Sequence, residues 1–191
     1  MRSTFILLTL LILNYCSFSQ SFMGITIDGT QSAVKSKLLQ KGFKLLSSSE
    51  NSNFYSGKIN NEDIKIMVRN TVNSKKVYSF FINFDKEIDS WSKLESEFEN
   101  KNIILKNKYG EPLTEERKYE YPFDENDELH LLALESGKLT YLNLWNEVGE
   151  NKLLKIALSI TSGKTISMIY LNIINEKIAK NELLIQNKKD Y

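Results

Sequence analysis

The chain is short of the residues that most often carry chemistry or covalent bracing. Its 191 residues include one cysteine and one histidine. A lone cysteine cannot close an internal disulfide, and one imidazole with one thiol cannot build a zinc site of several His and Cys ligands. Charge of one sign is missing too: 25 basic residues face 24 acidic ones, for a formal net charge of +1. With its lysines scattered, the chain lacks the electrostatic footprint of a general nucleic-acid binder. No apolar run approaches the roughly 20 residues that a spanning helix needs. Glycine is sparse and never forms a phosphate-cradling loop between a strand and a helix. What is present is 41% hydrophobic and 11% aromatic content, enough apolar surface to build a core and to argue against disorder.

The opening residues read as an export leader. Met1-Arg2-Ser3-Thr4 is basic, Phe5 to Leu13 is apolar, and Ser17 and Ser19 supply small residues before a cut at Gln20. The expected organisation is a signal peptide over 1–19 and a single exported domain over 20–191, periplasmic or extracellular, with no transmembrane segment in the mature chain. The alternative is a lipoprotein acylated at Cys16, but Tyr15 stands where such signals carry a small residue. Removal of the leader takes away Cys16 and Arg2, leaving no thiol and balanced charge.

Within the mature chain, Gly29–Phe43 carries a helix signal: Thr30 as N-cap, Val34 and Leu38 on one face, and Gly42 just past the end. Asp63–Arg69 alternates Ile64, Ile66 and Val68 with Lys65, Met67 and Arg69. Tyr78, Phe80, Ile82 and Phe84 repeat the pattern, with turns at Asn60-Asn61 and Asn73-Ser74. A long helix is expected from Ser90 to Tyr109, with Trp91, Leu94, Phe98, Leu105 and Tyr109 as its apolar stripe, Asp89 or Ser90 capping its start, and Gly110 and Pro112 ending it. Both prolines, Pro112 and Pro122, mark a joint between halves 20–110 and 111–191. Strands are then expected at Glu128–Leu134, Lys138–Trp145, Leu153–Ile160 and Thr165–Leu171, with Gly137 and Gly163 in hairpin turns. A three-residue loop Thr161-Ser162-Gly163 would set Leu158 opposite Ile166 and Ile156 opposite Met168. Ile174, Ile178 and Ile185 suggest a last helix before a polar tail. The fold class is α+β: helices on one face of an antiparallel sheet, in two consecutive helix-plus-meander halves.

The segment Phe22-Met23-Gly24-Ile25-Thr26-Ile27-Asp28-Gly29-Thr30, with Lys37-Leu38 and Lys41-Gly42-Phe43, resembles a group of uncharacterised exported Bacteroidetes proteins. Leu105-Lys106-Asn107-Lys108-Tyr109-Gly110-Glu111-Pro112, the acidic stretch before Leu129, and Tyr141 to Trp145 extend that resemblance. It implies an exported α/β domain and brings no activity or catalytic residues. Helix-on-meander units are also similar in architecture to β-lactamase-inhibitor-like folds, which says nothing of function.

Few residues offer chemistry. His130 alternates with leucines and reads as a structural or edge residue, and no Gly-x-Ser-x-Gly elbow provides a serine for it to activate. Asp124-Glu125-Asn126-Asp127-Glu128 could offer oxygen ligands, but Leu129 replaces the glycine that a calcium loop needs. It reads as a solvated turn, and no metal or cofactor is expected. Tyr119, Tyr121, Phe123, Tyr141 and Trp145 concentrate aromatic surface in the second half. Most should fill the core; an exposed set would dock an envelope protein or polymer. The leading expectation is a non-enzymatic exported binding or envelope-associated interaction domain. Its rivals are a glycan hydrolase drawing carboxylates from Asp85, Asp89, Asp124 or Glu128, and an inhibitor- or immunity-like protein.

Overall fold

The computed structural model describes residues 21–126, 128–149 and 151–187. The leader over 1–19, the cut before Gln20 and Cys16 lie outside the described residues. A small hairpin comes first, β1 (Ser21–Phe22) and β2 (Ile25–Thr26), turning through Met23 and Gly24. Helix α1 (Gln31–Gln40) then leads into a meander of β3 (Lys44–Ser48), β4 (Ser52–Ile59), β5 (Glu62–Asn70) and β6 (Val77–Phe84). Helix α2 (Trp91–Tyr109) leads into a second meander of β7 (Thr114–Tyr119), β8 (Leu139–Val148), β9 (Leu154–Ile160) and β10 (Ile166–Asn172). A short helix α3 (His130–Glu135) interrupts the second meander, and α4 (Ile173–Asn187) follows it.

The eight long strands form one antiparallel sheet in the order β3-β4-β5-β6-β10-β9-β8-β7. The last strands of the two meanders therefore meet at the centre, Ile166 opposite Phe84 and Tyr170 opposite Phe80. The proline-bearing stretch separates two chain halves, yet their strands share one ladder. This is the α+β architecture that the residue pattern predicts.

Local chemistry explains most of the elements. Thr30 caps α1 by accepting from the Ala33 N–H, and Gly42, at φ 86°, closes it in a Schellman turn. There Phe43 N–H reaches Leu38 O and Gly42 N–H reaches Leu39 O. Asn60 and Asn61 both have positive φ, the backbone that a two-residue hairpin loop demands. Core-facing residues alternate along the strands, Ile64, Ile66 and Val68 against Phe80 and Ile82, then Met168 and Tyr170 against Leu158 and Ile156. Val34 and Leu38 of α1, Leu94, Phe98 and Leu105 of α2, and Ala133 and Leu134 of α3 complete the same cluster.

Four expectations need correction. Glu128–Leu134 is not a strand: His130–Glu135 is helical and ends on Gly137, whose φ of 70° makes a Schellman turn rather than a hairpin. Leu-His-Leu-Leu-Ala-Leu fits either period, and the glycine selects the helix. The β9–β10 hairpin is shifted by two residues, with Ile160 opposite Ile166 and Leu158 opposite Met168. Thr161 and Thr165 extend the ladder, and Lys164, not Gly163, takes the left-handed position at φ 53°. Ser90 occupies the α2 cap position, but its hydroxyl bonds Ser92 rather than a backbone N–H. Finally, the helices do not all share one face: α4 packs on the side of the sheet opposite the others, against Met67, Phe81 and Ile169, burying Asn175 and Ala179 and exposing Ile174 and Ile185.

Candidate functional site

The lone histidine sits in a ring cluster where α2, α3, β7 and β8 meet. Tyr119 Oη lies 2.7 Å from His130 Nδ1, and the Trp91 ring stands 5.0 Å from the imidazole. Trp91 also meets Tyr141 edge-on at 5.4 Å, as does Phe98 at 4.9 Å. The Arg117 guanidinium lies 3.6 Å from the centre of the Tyr141 ring. Burial pushes the Tyr141 hydroxyl up to about 12; Arg117 opposes that shift, and donation to Glu95 adds to it. These groups satisfy one another, so the cluster is a packing seam.

The five aromatic candidates therefore do not form one docking face. Trp145 is buried and donates its indole N–H to Gly110 O at 2.8 Å. Tyr141 is buried beneath Arg117, and Phe123 packs against the core. Tyr119 is half-buried beside His130, and Tyr121 is 92% exposed.

The carboxylates proposed for hydrolysis are spread among other tasks. Asp85 pairs with Lys65 at 2.9 Å. Asp89 joins Glu87 and Glu135 around Lys164, and together they hold its ammonium above the ordinary lysine range, Asp89 contributing most. Asp124 accepts from the Asn126 N–H in its own turn, and Glu128 is exposed. Among the described residues, no group of three or more His, Cys, Asp or Glu is placed to hold a metal. No described helix is long and apolar enough to cross a membrane.

The sheet face opposite the helical layer carries a feature that strand-by-strand reading missed. Phe54, Met67, Phe81, Ile169, Ala157 and Leu144 stand in register on β4, β5, β6, β10, β9 and β8. Each alternates with the core-facing residues of its strand, so all six point to the open side. They form one apolar row crossing six strands.

Helix α4 walls part of this face. Asn172 caps it through the Asn175 N–H, and Asn175 Nδ2 donates to Val77 O at 2.8 Å. Further along, Glu182 accepts from the Asn73 N–H at 2.8 Å and from the Ser74 N–H and hydroxyl. Partial burial would raise the Glu182 carboxyl, but the donors of the β5–β6 turn outweigh it and hold the group below its usual value. Between wall and sheet lies an open groove of about 770 Å³. Met67, Phe81, Ile169 and Leu171 form its floor, while Ala179 and Leu183 line the helix side. The size lies within the roughly 300–1,000 Å³ of small-ligand sites, and the lining is mostly apolar with few polar groups.

Compared with protein families, with curated proteins and with solved structures, the chain matches none.

Proposed function

We propose that this protein is a non-enzymatic binding domain of the cell envelope, exported by its leader, whose ligand is an elongated apolar molecule seated in the open-face groove. The observation that carries the reading is the apolar row with its helical wall. A sheet face left open to water is ordinarily polar, and a contiguous apolar stripe there marks a binding surface. The row from Phe54 to Leu144 crosses five strand spacings, about 24 Å, so it suits a long thin ligand. The wall favours a small molecule over a flat protein partner, because the floor lies at the bottom of a furrow.

The test is titration with the neutral fluorophore N-phenyl-1-naphthylamine. Saturable enhancement with one site per chain is expected, and Ile169→Glu or Met67→Glu should abolish it while near-UV circular dichroism stays native. Absence of saturable binding by the wild-type domain, or binding indifferent to both substitutions, overturns the reading. The compartment has its own check. Intact mass from the native envelope should show a chain starting at Gln20, and a lipid-modified chain starting at Cys16 would overturn cleavage there.

A further inference from the structure

The groove is apolar, but the charges around it are not balanced. Glu176 is the acid of its lining, and it is already paired with Lys180 at 2.6 Å. Arg69 also lines the groove, and among the described residues its guanidinium has no ion-pair or hydrogen-bond partner. It stands opposite Ser79, which faces Leu171, which in turn faces Lys155. Lys155 is likewise exposed and without an ion-pair partner among the described residues. This row runs beside the apolar one and carries a cation on β5 and another on β9, about 14 Å apart across three strand spacings.

We infer that the groove binds a single-chain fatty acid, its acyl chain along Met67, Phe81 and Ile169 and its carboxylate on Arg69. The inference rests on the groove being the binding site. Charge complementarity selects the head: Lys180 already engages the acid of the lining, Glu176, and the Arg69 charge is left over. A guanidinium presents a planar fork matched to a carboxylate, and such charge-assisted pairs strengthen beside apolar walls. The single furrow selects one chain rather than the paired chains of a bilayer lipid. Lys155 adds long-range attraction for an anion approaching from the other side.

The experiment measures displacement of N-phenyl-1-naphthylamine by laurate and by methyl laurate, which differ only in the charged head. On the wild-type chain, laurate should compete at least about tenfold more tightly, as expected when a charged hydrogen-bonded pair is gained. Arg69→Gln should erase that preference, with the affinity of each protein for the fluorophore measured directly and used to correct the competition. Equal competition by acid and ester on the wild type, or a preference that survives Arg69→Gln, overturns the fatty-acid assignment and leaves the groove reading intact. Failure of the fluorophore to bind at all overturns both. Cosedimentation with phosphatidylglycerol vesicles that laurate cannot relieve would also overturn it, in favour of a membrane surface.

Discussion

Asn143 and Asn102 face each other across the seam between β8 and α2, the Asn143 amide donating to the Asn102 carbonyl at 2.8 Å. Both are buried, and the pair belongs to a closed ring. Arg117 donates to Asn143 Oδ1, Asn102 donates to Glu99, and Glu99 lies 3.7 Å from Arg117. A long helix lying on a sheet could slide along apolar contacts alone; this ring fixes its position.

Asn143→Ala should therefore cost about 1–3 kcal/mol, because it leaves the buried side-chain carbonyl of Asn102 without its donor. Urea melts check the value. The Asn102→Ala, Asn143→Ala double variant should lose clearly less than the sum of the singles, since the two share one bond. Additive losses would mean that the ring does not act as a unit.

Phe98 and Glu99 are neighbours with different tasks. Phe98 is fully buried against Tyr141, so Phe98→Ala should cost about 3–5 kcal/mol. The stripe alone places Glu99 on the polar side, where a truncation would be silent. Its bond from Asn102 implies instead a loss of about 1 kcal/mol for Glu99→Ala by the same melts.

Gly57 is required by space, not by backbone conformation. A Cβ there would lie 2.5 Å from Cδ1 of Phe43, a buried ring next to the Schellman turn of α1. Gly57→Ala should destabilise by about 1–3 kcal/mol through overpacking. Measured together with Phe43→Leu, the loss should be less than additive, because the smaller side chain relieves the clash.

Glu182 makes the docking of α4 pH-dependent. Its carboxyl titrates below the ordinary value of 4.5 in the folded state, so its stabilisation is complete above that value and fades as pH falls through the lowered one. Protection of the Asn73 and Ser74 amides, their exchange measured against the intrinsic rate at each pH, should be high at neutral pH and fall on acidification through that range. Glu182→Gln should show low protection already at neutral pH and no further loss on acidification. Identical profiles for the two proteins would mean that Glu182 does not hold the helix.

Legibility in the sequence follows one-sidedness. β5 and β6 could be read because Ile64, Ile66, Val68, Phe80 and Ile82 are buried in strict alternation. β3 and β4 carry no such signal, since they are serine-rich and a core-side position of β4 is the polar Asn53, satisfied by Ser48 and Tyr55. β7 was hidden for a related reason: Thr-Glu-Glu-Arg-Lys-Tyr is a charged edge strand whose pairing, not its composition, makes it a strand. The groove was invisible because each strand supplies only one residue to the apolar row. Met67 within β5 reads as an exception among lysine and arginine; only the register of six strands turns it into a surface.

The central pairing of β6 with β10 sets an order for folding. While the chain is being made, β3 to β6 can assemble early, but β6 then ends in bare N–H and C=O groups until β10 emerges some eighty residues later. β9 waits for the same strand on its other side. A fragment stopping before Ile166 would thus carry two raw sheet edges where the finished protein has its middle, and such edges pair with other chains. The interior of the sheet is the last part of it to close.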